Sequence, residues 1–262
     1  MSVDRRKFLK LAGLSAAAAA CKPIVSLAQD DAVQAAMGNR LPQETPLVGK
    51  RWAMVIDLQK CKDRENIKDC AAACHRTHNV PDFGNPKDEI KWIWEEDFHT
   101  AFHEQAFEHI DEELEHAHIP VLCNHCDNPP CVRVCPTQAT WRREKDGIVM
   151  MDWHRCIGCR YCIVACPYGS RSFNWRDPRP FIDKIDPDFP TRTRGVVEKC
   201  TFCEERLAKG QMPACVEAAK NDALAFGDLE DPDSKVRELL KTRFSIRRKP
   251  SLGTQPEVYY LV

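Results

Sequence analysis

The chain has 262 residues, enough for one large domain or two small ones with a substantial core, and its charges nearly balance at a formal −1. That balance excludes the strongly basic surface with which proteins grip nucleic acid. Composition departs from the ordinary in its fifteen cysteines, fourteen of which fall into four groups: 61, 70 and 74; 123, 126, 131 and 135; 156, 159, 162 and 166; 200, 203 and 215. A disulfide framework scatters its cysteines, so this grouping points to metal ligands.

In chain order, residues 1–28 carry Arg5 and Arg6 followed by Lys7 and Phe8, then an alanine-rich apolar run and a small-residue site near Ser26, Leu27 and Ala28. This order of regions resembles a twin-arginine export signal, with Cys21 inside it. Its removal takes away five basic residues and Asp4, leaving a formal charge of −5. Export of an already folded chain lets clusters be assembled on reduced thiolates before an oxidising compartment is met, and the expected location is the periplasm. No other stretch approaches the ~18–20 apolar residues needed to span a bilayer, so membrane association is expected through partners.

Residues 29–50 read as an N-terminal arm, polar and extended. Two internal echoes follow. WAMVIDLQKC (52–61) and GIVMMDWHRC (147–156) each place an apolar strand, an aspartate (Asp57, Asp152), three residues and a cysteine; HIPVLCNHC (118–126) and GVVEKCTFC (195–203) each run a short strand into C-x2-C. Residues 83–118 are expected to be a helical insertion, because Phe98, Phe102, Ala106, Ile110 and Leu114 recur every four residues through 95–118. Pro178, Pro180, Pro187 and Pro190 mark 176–194 as a covering loop. Residues 231–262 read as an extended C-terminal tail, in which Val258, Tyr259 and Tyr260 are expected simply to pack, the alternatives being an added strand or the docking of a partner.

Cys156, Cys159, Cys162 and Cys166, followed by Pro167, spell C-x2-C-x2-C-x3-C-P, and Cys123, Cys126, Cys131 and Cys135, followed by Pro136, repeat it with a longer third gap. In such runs three thiolates wrap one 4Fe-4S cluster while the fourth ligates its neighbour. The expected sets are therefore Cys123, Cys126, Cys131 and Cys166 on one cluster, and Cys135, Cys156, Cys159 and Cys162 on another. Structural zinc also uses C-x2-C pairs, so a zinc-stabilised interaction module stands as the reading of another class. A self-contained flavin or dinucleotide enzyme lacks its G-x-G-x-x-G loop, and no catalytic residue is assigned.

The order of the groups, with CNHCDNPPCVRVCP, CIGCRYCIVACPYG and CTFCEERLAKGQMPACV, resembles the four-cluster electron-transfer subunits of membrane-linked oxidoreductases, among them those of dimethyl sulfoxide and polysulfide reductases. Within that family the export signal and the altered first group are most like the subunits of Dsr-type membrane complexes of sulfur metabolism. The resemblance implies an α+β fold of two ferredoxin-like bicluster modules, one inserted in the other. The outer module comprises 51–82 and 195–230, and the inner one 119–175. It implies partners as well: a multi-span quinone-interacting membrane subunit and a periplasmic multihaem cytochrome c, or alternatively an exported molybdopterin oxidoreductase.

In the family pattern groups one and four supply the remaining ligands. Cys74, Cys200, Cys203 and Cys215 complete a third set. The fourth set lacks its second cysteine in group one and its last in group four, where Ala219 stands. Both losses strike one cluster, so three 4Fe-4S clusters are expected rather than four, the alternative being a fourth completed by Asp63, Asp69 or His75. Cys61 and Cys70 are left for a disulfide, worth about 2.5 kcal/mol by loop entropy, or a degenerate site.

Overall fold

The computed structural model describes residues 45–61, 63–104 and 112–262. Residues 1–28, expected to be an export signal and containing Cys21, and most of the expected N-terminal arm lie outside the described residues. The strands are β1 (Trp52–Asp57), β2 (Ile93–Asp97), β3 (His118–Leu122), β4 (Thr140–Arg142), β5 (Val149–Met151), β6 (Ser172–Phe173), β7 (Val197–Glu198), β8 (Leu224–Asp228), β9 (Ser245–Ile246) and β10 (Val258–Leu261).

The largest sheet runs β8-β1-β10-β9. β1 pairs antiparallel with β8, Trp52 opposite Asp228 and Ile56 opposite Leu224, and parallel with β10, Met54 opposite Val258 and Asp57 opposite Leu261. Every residue of β1 is buried, which explains its unbroken apolar run: a strand covered on both faces has no polar alternation to show. Trp52, Met54 and Ile56 join the main core, whereas Ala53 and Val55 join a smaller one beneath helix Lys235–Thr242, with Leu229, Val236 and Leu261. Ser234 starts that helix, its side chain accepting from the Arg237 amide.

Two expectations are corrected. Residues 231–262 are not an extended tail: they form a helix and two strands, and β10 is an inner strand of the sheet with Val258, Tyr260 and Leu261 fully buried. The helical reading of 83–118 also fails at 93–97, which is strand β2 paired with β3 from Ile93–Leu122 to Asp97–His118. Cross-strand pairing to the apolar run 119–122 overrides the four-residue spacing there. The spacing holds for the short helix Phe98–Ala101, where the Phe98 and Phe102 rings meet at 4.9 Å, and helix returns at Glu112–Glu115. Ala106 and Ile110 lie outside the described residues.

The covering loop is anchored by a buried charge. Arg192 pairs with Glu198 at 2.6 Å, both side chains inaccessible, and donates to the carbonyls of His78 and Asn79 at the end of helix Arg64–Thr77. Glu198 also accepts from Trp92 Nε1 at 3.0 Å and from Asn174. Residues 46–262 group as a single unit rather than as separate outer and inner bodies, and no described helix is long and apolar enough to cross a membrane.

Candidate metal centres

In the first C-x2-C step of groups two, three and four the residue before the second cysteine has positive φ: His125 at 41°, Gly158 at 70° and Phe202 at 55°. This left-handed step curls the loop so that both sulfurs face one centre, a conformation natural to glycine and strained for the other two. Gly158 is needed for a second reason: a Cβ there would lie 2.4 Å from the Gly195 carbonyl oxygen. Amides point at sulfur in the fourth group, Phe202 N to Cys200 Sγ and Ala214 N to Cys203 Sγ, each at 3.4 Å.

The structure brings the cysteines together in three places. Cys126 faces Cys123, Cys131 and Cys166. Cys74, at the buried face of helix Arg64–Thr77, faces Cys203, Cys200 and Cys215, and all four are buried. Cys135, Cys156, Cys159 and Cys162 line one cavity, with only Cys162 fully buried. Burial pushes the thiols of Cys74, Cys126, Cys162, Cys166, Cys200, Cys203 and Cys215 up, that of Cys200 to about 12, and mutual repulsion adds to the effect for Cys126 and Cys74. Such groups become thiolates only when a cation takes the place of the protons.

Polar atoms without a partner gather in the same loops: Asn124 Nδ2 and Oδ1, His125 Nε2 and Thr201 Oγ1 are buried and unpaired. His125 receives the Val149 amide on Nδ1 at 3.1 Å, and burial holds its pKa well below the ordinary value, so Nε2 carries the proton and faces the Cys200 backbone. Enclosed sulfur donors with unspent polar groups around them fit an iron–sulfur cluster, which would supply one-electron exchange.

Group one differs at the point where its second cysteine would fall. Asp63 caps a helix, its side chain accepting from the Glu65 amide at 2.9 Å, and Arg64 is the first helical residue. The chain thus enters a helix where the other loops make their left-handed step. Cys61 and Cys70 are free, buried thiols that face each other electrostatically, and no disulfide joins them. Asp69 is paired with Lys220 at 2.8 Å, and His75 has its pKa lowered by burial. Ala219 ends the helix Ala214–Ala218 and packs against the core that contains Cys61, Cys70 and Cys215.

Three polar side chains escaped the sequence reading. His78 sits 3.5 Å from Cys74 Sγ through Nδ1 and 2.9 Å from Glu205 through Nε2. Arg171 and Lys199 are fully enclosed among the cysteines. The available signal was a basic residue set in or beside apolar cysteine motifs, as in GVVEKC.

The family of 4Fe-4S dicluster domains matches residues 114–179. Over 98% of its length the chain is 39% identical to the Hdr-like menaquinol oxidoreductase iron-sulfur subunit 1 of Archaeoglobus fulgidus, covering 97% of that protein. It is 39% identical to the iron-sulfur cluster-binding subunit of menaquinone reductase of Nitratidesulfovibrio vulgaris, over 80% of this chain and 88% of that one. It is 35% identical to a tetrathionate reductase subunit of Salmonella typhimurium, over 100% of this chain and 89% of that one. The chain belongs to this family of iron–sulfur electron-transfer subunits of oxidoreductase complexes, and it is a ferredoxin-like 4Fe-4S protein of mixed helix and sheet.

Proposed function

We propose that the chain relays single electrons through three 4Fe-4S clusters held on the twelve cysteines of the three sets: Cys123, Cys126, Cys131 and Cys166; Cys135, Cys156, Cys159 and Cys162; Cys74, Cys200, Cys203 and Cys215. The two ferredoxin-like modules are nested, groups one and four embracing groups two and three. The pairing of β1 with β8 supports this, since it ties the two outer segments to each other.

The complex is of the Dsr type, with this chain in the position of its exported iron–sulfur subunit, DsrO. It lies in the periplasm after twin-arginine export, between a multi-span quinone-interacting membrane subunit and a multihaem cytochrome c, and serves sulfur metabolism. The near full-length similarity to a menaquinol oxidoreductase subunit supports the quinone-linked membrane complex, and the choice of the Dsr type within it rests on the resemblance of the first 28 residues and the altered first cysteine group. Similarity along the whole chain to a tetrathionate reductase subunit supports a second reading, the electron-transfer subunit of an exported molybdopterin oxidoreductase.

Iron and acid-labile sulfide per chain, measured on anaerobically purified protein with native mass spectrometry, test the first part. About twelve irons are expected, four per cluster. About sixteen would mean that group one still builds a site, and zinc without iron would sink electron transfer. Isolation of the chain from its native membrane tests the second part. Co-purification with a quinone-reactive membrane subunit and a haem protein is expected, whereas a molybdenum-containing partner would establish the alternative.

A further inference from the structure

We propose that Arg171 and Lys199 are fixed counter-charges placed at the two junctions between the three ligand sets, where each raises the reduction potentials of the clusters on either side of it. The inference rests on the ligand sets proposed above.

Arg171 is enclosed where two sets meet. Its Nη2 donates to Cys131 Sγ at 3.1 Å and to Thr140 Oγ1 at 2.8 Å, and its guanidinium also faces Cys162. Cys131 belongs to one set and Cys162 to another. The negative groups facing Arg171 are Cys131, Cys162, Cys123 and Cys166, all cluster cysteines. Lys199 is equally enclosed, its Nζ donating to the carbonyls of Cys200, at 2.6 Å, and Val149. It faces Cys123 and Cys131 of the set that Arg171 also touches, and Cys200 of the third.

Neither cation has a carboxylate within ion-pair distance among the described residues. Arg192 shows the contrast, because its burial is matched by Glu198 at 2.6 Å. An enclosed guanidinium without a negative partner is strongly unfavourable and cannot shed its proton, so a chain that keeps Arg171 must supply the negative charge in another form, and Lys199 faces the same sulfurs. Clusters ligated by cysteine thiolates do so. Four thiolates outweigh the charge of the iron–sulfide core, and reduction makes the unit more negative still. A fixed positive charge therefore favours the reduced form, and a hydrogen bond to a ligating sulfur acts in the same direction. The set containing Cys123 and Cys131 lies beside both cations, which makes it the most strongly raised of the three and the middle of the series.

The test is EPR-monitored redox titration of the anaerobically purified full-length chain, with iron counted in every sample. Arg171→Gln is expected to keep its iron and to lower the potentials of two clusters. Each falls enough to change the ratio of oxidised to reduced form about tenfold at a fixed potential, about 59 mV for one electron. Lys199→Gln is expected to lower two potentials as well, with only one cluster shared between the variants. Arg171→Lys and Lys199→Arg, which keep the charge, are expected to stay near wild type.

Iron-replete glutamine variants with unchanged potentials would overturn the inference and leave the ligand sets standing. Iron lost from the glutamine variants and kept by the charge-preserving ones would support the counter-charge role. Loss from both kinds alike would overturn it, showing that shape rather than charge is required. A wild-type chain holding zinc and no iron would overturn the ligand sets themselves.

Discussion

Asn66 is laced to the backbone of Lys220: its Oδ1 accepts from the Lys220 amide at 2.8 Å and its Nδ2 donates to the Lys220 carbonyl at 3.4 Å. Lys220 follows Ala219, and Asn66 lies in the first turn of the helix that starts at Arg64, so this pair joins the two places where a fourth cluster lacks its cysteines. A buried amide side chain closes the two segments on each other. Asn66→Ala leaves a backbone donor and acceptor there without their partners, at a cost of about 1–3 kcal/mol. A lowered denaturation midpoint at unchanged iron content is the expected result, and an unmoved midpoint would show the contact to be idle.

The thiols beside this closure titrate late. Burial pushes Cys61 up to about 12, with repulsion from Cys70 adding to it, and burial followed by Asp69 pushes Cys70 to about 11. Their folded values exceed the ordinary 9.0, so the folded state holds these protons longer than the unfolded chain does. The stability they contribute is complete below about pH 9 and is lost as the pH rises through about 11 to 12. A fall in the unfolding midpoint over that window is expected, and it should be smaller in the Cys61→Ser, Cys70→Ser double variant. At pH 8 iodoacetamide is expected to spare both thiols in the native chain and to modify both after denaturation. A chain whose Cys61 and Cys70 resist alkylation even when denatured without reductant would instead carry a disulfide.

Gly158 is the residue on which one ligand set depends most directly. Its φ of +70° and the 2.4 Å approach of a Cβ to the Gly195 carbonyl each oppose any side chain, and the obstacle is backbone. Gly158→Ala is expected to displace Cys156 and Cys159 and to lower the iron content by about four, one cluster's worth. EPR signals of the other clusters should persist. Full iron content in this variant would mean that the loop relaxes without cost.

Breaking the pair that pins the covering loop is expected to be costly. Glu198→Gln leaves Arg192 charged and inaccessible, now facing a neutral amide, and removing one partner of such a pair typically costs about 3–5 kcal/mol. The Trp92 contact with Glu198 at 3.0 Å makes tryptophan fluorescence a convenient probe of the unfolding curve. A loss below about 1 kcal/mol would place this pair with exposed ones.

The cysteine loops were legible because each needs its ligands at fixed spacing within a few residues. The helix start at group one was legible in principle, since Asp63-Arg64-Glu65 is an ordinary capping sequence, but an incomplete cysteine motif drew attention away from it. Strand β2 was hidden because its character comes from a partner strand and not from its own period. Arg171 and Lys199 could not be read as buried, since basic residues are by default exposed and only the assembled chain encloses them. The place of β10 was hidden most deeply: Val258 meets Met54 across some two hundred residues of chain, and no local pattern announces such a parallel pairing.

That pairing makes the final residues structural. The Met54 amide donates to the Glu257 carbonyl at 3.0 Å and the Leu58 amide to the Leu261 carbonyl at 3.1 Å, so β10 holds β1 from Met54 to its end. Tyr260 packs its ring edge-on to Phe102 at 5.1 Å, and its hydroxyl donates to the Pro120 carbonyl, linking the sheet to β3. Removing residues 258–262 gives up three fully buried side chains, at about 1.5–3 kcal/mol each, and strips β9 of its partner. The sum rivals the ~5–15 kcal/mol that holds an ordinary domain together. The shortened chain is therefore expected to be insoluble or iron-free, and Tyr260→Ala alone to cost about 3–5 kcal/mol. A soluble chain ending at Glu257 that keeps its full iron and its far-ultraviolet circular dichroism would show instead that β1 is held by β8 alone.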